Sequence, residues 1–246
     1  MKTNKRNYIL GVMLTIIIII AVVLAAVTAK SSTPLKGNEE YAVGIDVSSH
    51  NGEIDWKTVA ENTEFAIIRA GYRGYGEVGA ITEDKLFAEN LKNALKENIP
   101  VGVYFYTQAT NETEAEEEAE FVINLLGKSK IDLPVFIDFE YPYDENGNPT
   151  GRMFAANLTI EQATANINAF CRKIEKAGFG AGVYSSSNVY INHLNPNDFG
   201  KSMCIWVADY NNSVKYTGDY DIWQYSKTGS CAGVNSKYCD MNRWYK

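Results

Sequence analysis

Short apolar runs alternate along the chain with segments in which apolar residues recur every three or four positions. The runs are rich in β-branched and aromatic residues, and continuous apolar runs of this kind are typical of parallel strands buried on both faces. The segments between the first five runs have the spacing of amphipathic helices. The pattern therefore predicts repeated strand–helix units, with strands at residues 42–47, 65–70, 101–106, 134–140, 182–184, 204–208 and 222–225.

Repeated units of this kind fit a closed barrel better than an open sheet. Thr113 with Glu116, and Thr159 with Gln162, have the spacing of capping boxes, which predicts helix starts at the two threonines. In the last third of the chain the strands follow one another too closely for full helices. We therefore expect an α/β protein, a modified (β/α) TIM-like barrel at residues 41–246 whose irregular final strands are joined by loops.

The N-terminal segment does not share this pattern. Ile9 to Ala29 is almost wholly apolar and long enough to cross a bilayer as one helix, and Met1 to Arg6 carries three cations. The positive-inside rule keeps such an N-terminus cytoplasmic and places the rest of the chain outside. Val27-Thr28-Ala29 offers small residues at which a signal peptidase would instead release a secreted product. The predicted order is a cytoplasmic tip with a transmembrane anchor or signal segment at 1–29, a linker at 30–40, and the barrel domain.

Composition excludes several classes of protein. Of 246 residues, 46% are hydrophobic and 22% are charged, which is typical of a folded globular chain. The net charge is -7 and no stretch is strongly basic, so nucleic acid is not an expected partner. The two histidines and four cysteines form no metal-binding motif, and we expect neither a metal nor another cofactor.

Carboxylates stand where predicted strands end, which is the edge at which parallel barrels carry their active sites. Asp138 and Glu140 are two residues apart on one run, so we expect both side chains on one face, about 6 to 7 Å apart along the chain. Asp46 ends the first run. Carboxylates this close push one pKa upward, which supplies a protonated general acid beside an ionised partner, as glycoside hydrolysis requires. The alternative is a buried structural acid pair, whose nearest cations along the sequence are Lys130 and Arg152.

Aromatic residues also lie near the predicted strand ends. Their faces can stack on sugar rings while the sugar hydroxyls reach polar neighbours. We expect some of them in the core and others along a sugar-binding rim. They are Tyr106, Tyr184, Trp206, Tyr210 and Trp223.

Three further segments have structural rather than catalytic interpretations. The glutamates between Glu112 and Glu120 are interpreted as the solvated face of a helix. Asp144 to Pro149 has the composition of a turn-forming insertion. Cys231 and Cys239 lie in a loop-like stretch of a chain that is expected outside the cytoplasm. The sequence is compatible there with a local disulfide between them and with two free thiols.

Five motifs occur in one order along the barrel domain. They are Gly44-Ile45-Asp46-Val47-Ser48 with Gly52-Glu53-Ile54-Asp55-Trp56, then Phe136-Ile137-Asp138-Phe139-Glu140, Trp206-Val207-Ala208-Asp209-Tyr210, Trp223-Gln224-Tyr225 and Asp240-Met241-Asn242. This ordered set resembles that of the family 25 glycoside hydrolases, the Chalaropsis-type lysozymes or N-acetylmuramidases.

The resemblance implies that Glu140 is the general acid, that Asp138 is its partner carboxylate, and that Asp46 belongs to the same catalytic pocket. It implies hydrolysis of the β-1,4 bond between N-acetylmuramic acid and N-acetylglucosamine, with peptidoglycan glycan strands as the partner. The third strand ends Tyr104-Phe105-Tyr106, where many relatives have Tyr-His-Phe. The residues expected to bind substrate are Tyr106, Tyr184, Trp206, Asp209, Tyr210, Gln224 and Asp240.

Two other functions fit parts of the sequence. A non-catalytic barrel that binds cell-wall glycans would be expected to have lost a pocket acid, yet Asp46, Asp138 and Glu140 are all present. A chitinase-like hydrolase would carry a longer D-x-x-D-x-D-x-E strand, whose earlier acidic positions are occupied here by Leu133 and Phe136.

The length and flanking charge of the N-terminal segment predict where the protein is found. In cells that express the full chain, we expect the protein in the membrane fraction, with most of it accessible to protease added from outside. A soluble product that begins at Lys30 would instead show cleavage after Ala29.

Overall fold

A computed structural model describes the chain from residue 41 to residue 245. The anchor or signal segment predicted at 1–29 and the linker at 30–40 lie outside these residues. Within 41–245, no helix combines the length and apolar character that crossing a bilayer requires.

Eight strands close into a barrel, as the sequence pattern predicts. The order around the sheet is β1-β9-β8-β7-β6-β5-β4-β2, and β1 pairs in parallel with β2 to complete the ring. The ninth strand, β3, flanks β2 on the outside in antiparallel orientation. The strands are β1 Tyr41–Val47, β2 Phe65–Arg73, β3 Ile81–Glu83, β4 Val101–Tyr106, β5 Val135–Asp138, β6 Ala181–Ser186, β7 Cys204–Ala208, β8 Ile222–Gly229 and β9 Cys239–Tyr245.

The parallel arrangement does not extend to β9, which the apolar pattern did not predict as a strand. β9 runs antiparallel to both β8 and β1. Its sequence mixes polar and apolar residues, and only Cys239 and Asn242 within it are buried. A strand with so few fully buried residues lacks the continuous apolar run that identifies a parallel strand.

Helices connect most of the parallel strands. The helix starting after Thr159 has the predicted capping box, in which Thr159 accepts from the backbone of Gln162 and Gln162 accepts in return. The start predicted at Thr113 is wrong: the N-cap is Asn111, whose side chain accepts from the backbone N–H of Glu114. The helices are α1 Trp56–Asn62, α2 Phe87–Lys96, α3 Glu112–Leu126, α4 Arg152–Ala155, α5 Ile160–Lys176 and α6 Ser187–Asn192, with 3-10 turns at Ser49–Asn51 and Pro196–Asp198.

The glutamate-rich face of α3 is not simply solvated, contrary to expectation. Glu118 is fully buried and accepts a hydrogen bond from Arg73 Nε at 2.7 Å and from Thr107 Oγ1 at 2.6 Å. Glu114 pairs with Arg152 at 2.7 Å. A charge count along the sequence could not distinguish these two acids, because their cations come from distant segments.

The structure confirms the turn predicted at Asp144 to Pro149 and shows free thiols at the two cysteines near the C-terminus. The insertion is a turn closed by pairing of Tyr143 with Pro149, and the Asp144 side chain accepts from two backbone N–H groups within it. Cys231 and Cys239 are buried free thiols and form no disulfide.

Candidate active site

A cavity of about 290 Å³ opens at the carboxyl ends of the barrel strands. Every residue that the sequence predicted for the site lines it, except Asp209. The predicted residues that line it are Asp46, Tyr106, Asp138, Glu140, Tyr184, Trp206, Tyr210, Gln224 and Asp240.

Asp138 and Glu140 enter this cavity from the end of β5. The strand ends at Asp138, earlier than predicted, but the extended backbone continues, because Phe139 N–H donates to the Tyr184 carbonyl at 2.9 Å. Ile137 and Phe139 are buried in the hydrophobic core. The alternation predicted from the sequence therefore directs both carboxylates into the same cavity.

A hydrogen-bond network holds Asp46 at the base of the cavity. Its Oδ2 accepts from Gln224 Nε2 and from Asn242 Nδ2, each at 2.8 Å. Gln224 Oε1 in turn accepts from the hydroxyls of Tyr184, at 2.9 Å, and Tyr210, at 2.6 Å. The network fixes the amide of Gln224, so its Nε2 must point at Asp46.

The predicted aromatic rim is largely part of the barrel core. Trp206 is 1% exposed, lies with its ring centroid 4.5 Å from that of Tyr184, and donates from Nε1 to Asn242. Trp223 is also buried. Tyr210, 46% exposed, is the predicted aromatic that presents a broad surface to solvent. The sequence could not separate the two groups, because aromatic residues at strand ends serve both purposes.

Asp209 lies outside the cavity and organises the loop after β7. One carboxylate oxygen accepts from the backbone N–H of Asn211, and the other accepts from that of Lys215 at 2.9 Å. Its carbonyl accepts from Trp223 Nε1 at 2.7 Å. These bonds give it a role in positioning the segment that carries Tyr210.

Two cations of the cavity were not identified from the sequence. Arg69 on β2 is held by Asp84, with Nε 2.8 Å from Oδ2. Lys227 on β8 is exposed and lies 5.2 Å from the ring centroid of Tyr210. Arg69 interrupts an otherwise apolar run, which is a signal of a functional position; an exposed lysine on an irregular strand gives no such signal.

Burial raises the pKa of each of the four acids, and repulsion from neighbouring acids adds to this for Asp46, Asp138 and Glu140. Burial, followed by the charge of Asp240, raises the pKa of Asp46 to about 8. Burial and then the charge of Glu140 hold the pKa of Asp138 well above its usual range. Burial also raises the pKa of Glu140, against the Tyr184 hydroxyl and the Lys227 ammonium, and raises that of Asp240 to about 6. The cavity therefore retains protons near neutral pH.

One oxygen in this cluster has no partner. Asp138 Oδ1 is buried and makes no hydrogen bond to any group within residues 41–245. A buried acceptor without a donor is costly, so such an atom indicates a place where a bound molecule donates. In the same part of the chain, no group of His, Cys, Asp and Glu side chains is arranged to hold a metal ion.

Comparison with known proteins gives a consistent result. The model of one protein family, described as "Glycosyl hydrolases family 25", matches residues 45–234. The autolytic lysozyme of Clostridium acetobutylicum is 26% identical over 193 residues, which are 78% of this chain and 52% of that protein.

Solved structures agree with this match. The modular autolysin LytC from Streptococcus pneumoniae, in complex with a synthetic peptidoglycan ligand, superimposes with a TM-score of 0.70 at 30% identity, over 85% of this chain and 48% of that one. A family 25 glycosyl hydrolase from Bacillus anthracis superimposes with a TM-score of 0.66 at 27% identity, over 89% of this chain and 95% of that one. The chain thus spans about half the length of the Clostridium lysozyme and of LytC.

Asp46→Asn should change how stability depends on pH. The pKa of Asp46 is about 8 in the folded chain and about 4 in an unfolded one, so the folded state loses stability as pH rises between these values. Asparagine can accept the same two hydrogen bonds but cannot ionise. The free energy of unfolding, measured by denaturant titration, should therefore shift in favour of the variant as pH rises across this range.

Asp55→Asn is the matched control. Asp55 is the exposed N-cap of α1, and hydrogen bonds from Thr58 lower its pKa, so it stays ionised over about pH 5 to 8. Its effect on unfolding should be constant over that range. If the difference in unfolding free energy between Asp46→Asn and wild type were also independent of pH, the raised pKa of Asp46 would be contradicted.

Proposed function

Because the chain belongs to the glycosyl hydrolases of family 25, we propose that it is a lysozyme: an N-acetylmuramidase that hydrolyses the β-1,4 bond between N-acetylmuramic acid and N-acetylglucosamine in peptidoglycan. The observation that carries the proposal is the meeting of Asp138 and Glu140 in one cavity at the carboxyl ends of the strands. The substrate class is supported by relatives described as a lysozyme and as an autolysin with a peptidoglycan ligand.

Glu140 is the proton donor in this proposal. Burial raises its pKa above that of an ordinary glutamate, which favours the protonated form that a general acid needs. As the bond from the anomeric carbon to the glycosidic oxygen breaks, the electron pair goes to that oxygen, which takes the proton from Glu140. The leaving N-acetylglucosamine then departs with a free hydroxyl.

Asp138 acts on the other side of the anomeric carbon. Its unpartnered Oδ1 can accept from the N–H of the 2-acetamido group of the muramic acid. That contact orients the acetamido carbonyl oxygen, which forms a bond to the anomeric carbon and gives a cyclic intermediate. Water then attacks the same carbon, and the bond between that carbon and the acetamido oxygen breaks, so that its electron pair restores the acetamido carbonyl. Glu140 recovers its proton from the attacking water.

Two other routes use the same acids. In one, Asp138 attacks the anomeric carbon directly; in the other, Asp46 activates water for a single inverting displacement. Asp46 Oδ2 already accepts from Gln224 and Asn242, so this oxygen is held in the hydrogen-bond network. Asp138 also has the free acceptor that substrate assistance needs, and we favour that route.

The proposal also includes a location. Peptidoglycan lies outside the cytoplasmic membrane, and the apolar segment from Ile9 to Ala29 behind an N-terminal cluster of cations would hold the barrel domain on that side. Cleavage after Ala29 would give a secreted enzyme with the same access to substrate.

Digestion of purified peptidoglycan by the full chain tests this function. Mass spectrometry should show new reducing ends on N-acetylmuramic acid. Glu140→Gln keeps the shape of the side chain but has no proton to transfer, so turnover should fall by about 100-fold or more while wall binding survives.

Glu116→Gln makes the same chemical change on the exposed surface of α3 and should leave turnover unaltered. New reducing ends on N-acetylglucosamine, or release of peptides alone, would contradict the proposed activity. Full turnover by Glu140→Gln would instead contradict only the assignment of the acid.

A further inference from the structure

A second, larger cavity adjoins the cavity that contains the acids. It measures about 570 Å³, a volume typical of ligand sites. One wall is the turn closed by Tyr143 and Pro149, which we call the insertion hairpin, followed by Phe154 on α4; another wall is formed near α6 by Asn188 and His193. Nothing in the reaction described so far uses these walls.

The two cavities share Glu140, Tyr210 and Lys227. A third cavity, of about 610 Å³, adjoins the acids elsewhere and shares only Arg69 and Tyr106 with the acid cavity. Glu140 therefore lies between the acid cavity and the hairpin side, and it does not line the third cavity. The acid cavity therefore adjoins each of the other two, which share no lining residue with each other.

The position of Glu140 between two cavities determines in which direction a bound glycan chain would run. The general acid must contact the glycosidic oxygen, which joins the sugar being attacked to the sugar that leaves. A chain whose attacked sugar lies over Asp138 has its leaving sugar beyond Glu140. The cavity beyond Glu140 is the one formed by the insertion hairpin.

The chemistry of the walls suits amino sugars. Tyr143 is 63% exposed and Phe154 is 49% exposed, so both present aromatic faces on which a sugar ring can stack. Asn157, Asn188 and His193 provide polar groups for hydroxyls and acetamido groups. Apolar faces beside a few polar groups are what the rings and acetamido groups of amino sugars require.

The insertion hairpin is held in place from two directions. Within it, Asp144 Oδ1 accepts from the backbone N–H groups of Asn146, at 2.9 Å, and Asn148, at 2.8 Å. At its base, the backbone N–H of Arg152 donates to the buried Gln108 at 2.9 Å, and the Arg152 guanidinium pairs with Glu114. These contacts join the hairpin to the end of β4 and to α3, so the wall is formed before substrate arrives.

We propose that the cavity formed by the insertion hairpin binds the leaving half of the glycan, the N-acetylglucosamine released at the cleaved bond and the sugar attached to it. Tyr143 and Phe154 are its stacking residues. This inference rests on the proposed muramidase activity and adds to it a residue-level account of specificity for the leaving group.

Two peptide-free substrates separate the two sides of the cleaved bond. One is the tetrasaccharide GlcNAc-MurNAc-GlcNAc-MurNAc, whose central bond leaves a disaccharide on the hairpin side. The other is the 4-methylumbelliferyl β-glycoside of GlcNAc-MurNAc, whose leaving group is a single aryl alcohol. For Tyr143→Ala and Phe154→Ala in the full chain, kcat/KM on the tetrasaccharide should fall by about 3- to 10-fold, the scale of one aromatic contact. On the aryl glycoside it should stay within about twofold of wild type.

Tyr238→Ala is the matched control, since Tyr238 is 47% exposed and lines none of the three cavities. It should leave both rates unchanged. Equal losses on both substrates, or no loss on the tetrasaccharide, would overturn the assignment. A wild-type chain that cleaves neither substrate would refute the muramidase activity itself, and the subsite with it.

Discussion

The crowding of four carboxylates into one buried cavity is the constraint on which this structure depends. Asp46, Asp138, Glu140 and Asp240 all line about 290 Å³ at the mouth of the barrel. Such a group could not remain fully ionised without a large cost in free energy. Part of the cost is offset by amide donors and cations, and part is avoided because the pKa of each acid rises. The retained protons are also what acid catalysis needs, so the same crowding limits stability and enables chemistry.

The barrel assembles this group from distant parts of the chain. β5 contributes Asp138 directly, and β1 contributes Asp46. The antiparallel β9 contributes Asp240 and, through Asn242, one of the two donors that hold Asp46. β9 is therefore part of the site as well as one strand of the ring.

Local pattern determined how much the sequence could predict. Asp138 and Glu140 were found because strand alternation and position at a strand end are properties of a few consecutive residues. Arg69 and Lys227 were not found, because their role depends on which strands become neighbours around the ring. β9 was missed because most of its residues are only partly buried, so that it lacks a continuous apolar run.

The central claim is that hydrolysis proceeds by two displacements at the anomeric carbon, with Asp138 acting on the side opposite Glu140 and Glu140 exchanging the proton. Proton NMR of a peptide-free glycan during hydrolysis measures this most directly, because it reports the first-formed anomer before mutarotation. The account predicts that the new reducing end of N-acetylmuramic acid appears first as the β anomer, since two displacements at one carbon retain configuration. An initial α anomer would contradict it and would assign Asp46 the role of activating water.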